Sequence, residues 1–188
     1  DGESWQTPEL IAKYASVPDI VALNQKLGPF ETGAVLVYFV DGTDDHGEED
    51  LGLGLVYSLD NGKTWSDRLY TDMTGAPSGT VVVDPSLVKL NDGQLRLYFY
   101  DFPSMPPGPN GESTSIMHSA ISQDGINFLY EQEVYVSETL ITDPDVIKFN
   151  NEWFMYFASH EHQGVAAVQS TNPLDFENPE LVEVNGIP

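Results

Sequence analysis

A short polar turn closed by an aromatic residue returns along this chain at intervals of about sixty residues. "SLDNGKTW" (58–65) and "SQDGINF" (122–128) are two copies, "DGESW" (1–5) has the tail of a third, and "STNPLDF" (170–176) has Asn for Asp and Pro for Gly. The closing aromatics are Trp5, Trp65, Phe128 and Phe176, spaced 60, 63 and 48 residues apart. A period of this length signals a series of similar supersecondary units in place of one irregular core.

A second marker keeps the same step. "VPDIVAL" (17–23), "DPSLVKL" (84–90) and "DPDVIKF" (143–149) align on Pro18, Pro85 and Pro144. Each leads to a second apolar run: "AVLVYFV" (34–40), "QLRLYFY" (94–100) and "EWFMYFA" (152–158). A polar loop, a third short run, the turn and a fourth run complete each unit. Four short strands between turn signals predict an all-β fold, and no segment has the 3.6-residue stripe and caps of a helix.

"SLDNGKTW" matches the Asp-box, S-x-D-x-G-x-T-W, at every defined position, and so resembles the blade turns of sialidase-like and other glycosidase-like β-propellers. The "DPSLVKL…GQLRLYFY" and "DPDVIKF…EWFMYFA" units are similar to blade starts of five-bladed propellers of the arabinanase, xylosidase and invertase type. The resemblance implies a β-propeller of four-stranded antiparallel blades at about 17–73, 84–136 and 143–184. A lone outer strand is expected at 8–14, as part of a five-bladed ring. In the turn, Asp60 is suited to bond backbone N–H groups, Gly62 to adopt a φ that other residues avoid, and Trp65 to lie between blades. That makes the Asp-box structural, not catalytic. Three blades leave open sheet faces and edges. The 188 residues are therefore expected to be a fragment, to self-associate, or to close as a shorter propeller.

Charge narrows the partners. Thirty Asp and Glu stand against seven Lys and Arg, a net charge of −23, so nucleic acid and anionic membrane are poor partners. No run is long and apolar enough for a transmembrane helix. With no cysteine, disulfide and thiolate chemistry are excluded. Such acidity suits a salt-adapted protein or a secreted, extracellular or periplasmic one, and the last is the setting expected here.

In a blade the first strand starts at the face to which the second returns. Asp84 and Asp143 therefore share a face with loops 41–50, 101–114 and 159–164. Asp19 aligns with Ser86 and Asp145, and Val17 takes the Asp84 position. In the glycosidases that the chain resembles, one blade-start Asp is the general base, a second tunes pKa and orients the sugar, and a Glu is the acid. That implies Asp143 as base and Asp84 as tuner. No Glu opens a blade here, so the acid is expected from a missing blade or from a loop, Glu161 being the candidate. Such chemistry needs one protonated and one ionised carboxyl. The bare alternative is that Asp-Pro only shapes strand entry. His160, His162, Tyr100 and Asp19 are the expected sugar contacts, and Phe102 and Trp153 are further stacking candidates.

No cofactor or metal site is expected. "DGTDDHGEED" (41–50) offers oxygen ligands that suit Ca²⁺, yet His46 stands where an EF-hand needs Gly, and a solvated acidic loop is the plainer reading. The sialidase subtype needs three Arg, and Arg68 and Arg96 are the only two. The sequence thus points to a glycoside hydrolase acting on neutral poly- or oligosaccharide, or to a non-catalytic carbohydrate-binding or scaffold module.

Overall fold

The computed structural model describes residues 8–42, 53–101 and 114–181. Among them there are thirteen strands and no helix. The first sheet runs β1 (Ala15–Ala22), β2 (Val35–Asp41), β3 (Gly54–Ser58), β4 (Leu69–Tyr70). The second holds β6 (Val82–Lys89), β7 (Leu95–Asp101), β8 (Ser115–Ser122) and β9 (Asn127–Ser137). On its outer edge lies β5 (Asp72–Thr74), parallel to β9. The third runs β10 (Ile141–Phe149), β11 (Glu152–Ser159), β12 (Gly164–Ser170), β13 (Glu177–Leu181). Apart from β5, all neighbours are antiparallel. The all-β architecture expected from the repeats is thus present as a partial β-propeller.

Two expectations need correction. Residues 67–73, "DRLYTDM", stand where the first unit's fourth run falls, but the strand breaks at Thr71. The Thr71 hydroxyl accepts the Leu53 N–H at 2.8 Å and the Thr71 N–H donates to the Leu53 carbonyl, which ends β4 there. Asp72 then donates to the Ile126 carbonyl and the chain joins the next sheet. Residues 8–14 hold no strand; the Gly42 N–H donates to the Tyr14 carbonyl at 2.7 Å, where the segment enters β1. The segment lies across the first sheet, with Ala12 against Val37, Phe39 and Val56. Arg68 fastens it, donating to both Asp41 carboxylate oxygens at 2.7 Å and to the Lys13 carbonyl.

The core fills the two junctions between sheets. Leu36, Tyr38 and Leu55 meet Leu97, Phe99 and Phe128 between sheets one and two. Tyr98, Tyr100 and Met117 meet Met155, Phe157 and Phe176 between sheets two and three. β7 lies in the sandwiched sheet, so both its faces are covered and residues Leu95 to Tyr100 are all buried. This is why "LRLYFY" is nearly apolar throughout where a half-exposed strand alternates.

The turns form as their residues dictate. Asp60 Oδ1 accepts the N–H groups of Lys63 and Thr64 at 3.0 and 2.9 Å, and Ser58 Oγ accepts that of Gly62 at 2.8 Å. The bonds from Thr64 do most to pull the Asp60 carboxyl down to about 2. Asp124 repeats the pattern, accepting from Ile126 and Asn127. Gly125 sits at φ 77° against the Tyr38 hydroxyl, which donates to its carbonyl at 2.9 Å. Beside it the Phe128 ring meets Tyr38 edge-on at 6.2 Å. At the next junction Tyr98 donates to the Pro173 carbonyl at 2.9 Å and meets Phe176 edge-on at 6.1 Å. Phe128 and Phe176 thus lie between sheets. Trp65 packs on the far side of the first sheet, against the Val37, Phe39 and Val56 cluster, and among the described residues no further sheet covers it.

Candidate functional site

All three first strands carry the same irregularity. Between Ser16 and Asp19, Val83 and Ser86, and Thr142 and Asp145, the first strand holds one residue more than its partner. These are β-bulges, each centred on the residue before proline and on the proline itself. Proline is tolerated there because the bulge leaves its position out of the ladder. The preceding residue is left-handed each time: φ is 46° at Val17, 51° at Asp84 and 54° at Asp143. That conformation is uncommon for any residue except glycine, and least strained for Asn and Asp. The bulge turns the Asp84 side chain out of the ladder toward the neighbouring first strand, where it meets Asp143.

Together the bulges build a hollow of about 230 Å³ lined from all three sheets, by Ser16, Val17 and Val40, by Val83, Asp84 and Tyr100, and by Thr142. Asp84 Oδ2 accepts the Asp143 N–H at 3.2 Å across the second junction. Burial pushes the Asp84 carboxyl above the usual carboxylate range, as does the Asp143 charge, and the bond from Asp143 N–H works against both. The Asp143 carboxylate itself is exposed, is not part of the hollow's lining, and accepts the Thr142 hydroxyl at 2.7 Å. Tyr100 is buried and forms part of the wall.

The other expected site residues lie elsewhere. Asp19 stitches sheets: its Oδ2 accepts the Leu87 N–H at 2.5 Å and its Oδ1 the Ile20 N–H at 2.7 Å. Burial raises its pKa; the two N–H bonds oppose that, and the Asp145 charge adds to it. Ser86, at the aligned position, accepts the Val146 N–H at 2.9 Å. His160, Glu161 and His162 are exposed on the loop after β11 and do not line the hollow. Glu161 accepts the Thr139 hydroxyl at 3.4 Å, and His162 Nδ1 lies 2.9 Å from Ser159 Oγ. Trp153 is buried in the second junction under Lys148. Phe102 and most of the acidic 41–50 loop lie outside the described residues. Among the described residues no group of three His, Asp or Glu side chains is placed to hold a metal ion. Both arginines serve ion pairs, Arg68 with Asp41 and Arg96 with Glu131.

Sequence reasoning passed over His118. Its ring stacks on Phe99 at 5.2 Å, inside the first junction. Nδ1 lies 3.1 Å from the Tyr130 hydroxyl, and Nε2 is 3.9 Å from Asp101 Oδ2 with no hydrogen-bond partner among the described residues. Burial holds its pKa below the ordinary histidine value, against the pull of Asp101 and Glu133. A second hollow of about 280 Å³ opens there, bordered by Thr80, Asp101 and Glu133. The signal available was the alternation of "SIMHSAIS", which puts residue 118 on the same face as Ala120.

Solved structures with this fold include glycosidases. A Penicillium chrysogenum α-L-arabinanase complexed with arabinobiose superposes with TM-score 0.60 at 20% identity, over 89% of this chain and 50% of its own. An α-L-arabinofuranosidase from Fusarium graminearum gives TM-score 0.63 at 14% identity, over 89% and 48%. A protein of unknown function from Dyadobacter fermentans gives 0.65 at 18% identity, over 100% and 57%. This chain spans about half the length of these structures. No protein-family model matches it, and no curated protein does. The likeness is one of fold, that of the glycosidase-type propellers.

Proposed function

We propose that this chain binds neutral oligosaccharide at the hollow where its three first strands meet. The observation that carries the reading is Asp84, which lines that hollow and accepts the Asp143 N–H across a junction. A half-buried carboxylate beside an exposed one offers acceptors to ring hydroxyls, and Val17, Val40 and Val83 offer apolar wall to a sugar face. The arabinobiose bound by the arabinanase is a neutral sugar of this class. An extracellular or periplasmic setting suits such a ligand.

Hydrolysis is a second reading, favoured by the upward shift of Asp84 beside Asp143. Asp143 would act as base and Asp84 as the tuning group. Protonating the leaving oxygen needs one further carboxyl within about 10 Å. Among the described residues none lines the hollow apart from Asp84. Binding without cleavage is therefore the reading preferred for these residues.

Calorimetry with arabinobiose and a panel of neutral oligosaccharides tests the site. Binding is expected for at least one sugar, weakened about tenfold by Asp84→Asn, since a hydrogen bond to a charged group is worth about 1.5–3 kcal/mol. Absence of heat across the panel would overturn the reading. A parallel assay on neutral aryl-glycosides decides hydrolysis, whose signature is turnover lost in Asp143→Asn with binding retained.

A further inference from the structure

The hollow at His118 holds a buried polar atom that the fold leaves unbonded. His118 is 2% exposed, and its Nε2 meets no hydrogen-bond partner among the described residues. Buried polar atoms are rarely left so. The groups around it are brought there by irregular strand pairing. The register of β8 and β9 slips twice, between Met117 and His118 and between Ser119 and Ala120. Tyr130 and Glu133 are three residues apart and would face opposite sides of a regular strand. The second slip leaves Glu131 unmatched, so both reach the His118 side. The Tyr130 hydroxyl lies 3.1 Å from Nδ1, and Glu133 borders the hollow. Glu131 turns to the other face, where it pairs with Arg96. Bulges of this kind re-aim side chains beside functional sites. Asp101 comes from the end of β7, two residues past the Phe99 ring on which His118 stacks. Its Oδ1 accepts the Val81 N–H at 2.9 Å, and its Oδ2 stands 3.9 Å from Nε2.

The hollow of about 280 Å³ has room for several heavy atoms, since one water takes about 30 Å³ of liquid. Two carboxylates and a ring nitrogen border it, with Pro77 and Ile116 as apolar wall. All seven Lys and Arg of the chain are among the described residues, and none borders it. Three of them serve ion pairs elsewhere, Lys26 with Glu31, Arg68 with Asp41 and Arg96 with Glu131. The chain therefore supplies no Lys or Arg here, within a net charge of −23 that draws cations in. A bare metal ion is a poor match, because no three His, Asp or Glu side chains among the described residues are placed to hold one. A nitrogen donor suits the spacing better. Standing about 2.9 Å from both Nε2 and Asp101 Oδ2, it would span their 3.9 Å separation with two of its N–H bonds.

We propose that this hollow binds a small primary ammonium ion, held by His118 Nε2, Asp101 and Glu133, with its carbon chain against Pro77 and Ile116. Nδ1–H donates to the Tyr130 oxygen, which leaves the Nε2 lone pair as acceptor. In the other tautomer Nε2–H would face Asp101 Oδ2 across 3.9 Å, too far for a hydrogen bond. The ammonium donates to Nε2 and to Asp101 Oδ2, and the Glu133 carboxylate adds charge. Burial favours the neutral ring that this needs, against the pull of Asp101 and Glu133. A proton on Nε2 takes the lone pair and repels the ligand. No residue lines both this hollow and that of Asp84, so the two sites are separate.

Ethylammonium chloride is the probe, titrated at pH 7.5 into protein labelled with nitrogen-15 at histidine. The ring nitrogens of His118 are read by NMR and assigned by their loss in His118→Asn. A ring protonated on Nδ1 and a saturable shift of Nε2 are expected. Potassium chloride and tetramethylammonium chloride, which have no N–H to donate, should not reproduce the shift, nor should ethanol, which has no charge. Saturation transfer to the ligand reads the variants. Asp101→Asn keeps an oxygen for the Val81 N–H and should weaken binding about tenfold. Glu133→Gln, on an exposed position, should weaken it several-fold. Lowering the pH from 7.5 to 5 should release the ligand as His118 takes its proton. Absence of a saturable shift, the same shift with potassium, tetramethylammonium or ethanol, or affinity unchanged in both Asp101→Asn and Glu133→Gln would overturn the proposal.

Discussion

Phe128 and Trp65 close the same kind of turn, yet one is sealed and the other is half open. Phe128 is 1% exposed because its ring enters the first junction beside Tyr38. Trp65, on an equally well-bonded turn, rests on the outer side of sheet one, where among the described residues only the 8–14 segment lies above it. The turn residues are thus sufficient for the turn and insufficient for the burial of its aromatic. Burial comes from the neighbouring sheet, and only two of the turn aromatics in the described residues have one. Local hydrogen bonding and packing between sheets are separable contributions here, carried by adjacent residues.

Removing the two aromatics should show that separation most clearly. Phe128→Ala should cost about 3–5 kcal/mol, the range for a large buried aromatic. Trp65→Ala should cost about 1–2 kcal/mol in dilute solution, since only part of its area leaves water. Urea unfolding of both variants reads the difference. Equal costs at low concentration would break the comparison.

The first junction also contains a charge-sensitive point. His118 is buried against Phe99, and Tyr130, Asp101 and Glu133 are its polar neighbours. Its folded pKa is lowered, so the unfolded chain binds the proton more readily. The stability owed to the neutral ring is complete above the unfolded value of about 6.5 and is lost as pH falls through and below it. The melting temperature of the wild type should therefore drop between pH 7.5 and 5.5, and His118→Asn should drop less. A wild-type drop that His118→Asn leaves unaltered would remove His118 from this role.

Much of this organisation is legible in the sequence because it rests on local rules. Ser58, Asp60 and Gly62 specify a turn by themselves, and the Val-Pro and Asp-Pro pairs mark the three first strands. What was not legible depends on partners distant in sequence. "DRLYTDM" alternates as a strand should, but nothing in it says that Leu69 pairs in one sheet and Met73 in the next. "PELIAKY" has the apolar content of a strand and finds a face to cover instead of an edge to join. Asp19 read as a sugar ligand because its alignment with Ser86 and Asp145 was visible, and the N–H that it accepts from Leu87 was not. His118 went unnoticed because alternation predicts burial without saying what lies on the other side.

The three bulges allow the smallest and most local test. Val17, Asp84 and Asp143 share a left-handed conformation ahead of proline, but only the two Asp residues suit it. A left-handed turn costs an ordinary L-residue about 1–2 kcal/mol, and Asn and Asp relieve part of that by bonding locally. Branching at Cβ makes Val among the least suited residues there. Val17→Asn should therefore stabilise the fold by about 0.5–1 kcal/mol. Asn is the right probe because Asp at this position would set a further negative charge in the hollow that Val17 shares with Asp84. The reciprocal change, Asp143→Val, should destabilise by a similar amount. Thermal melts of the two variants decide it: a loss in Val17→Asn would mean that the contact of Val17 with the hollow's apolar wall, at Val40 and Val83, outweighs the backbone strain it bears.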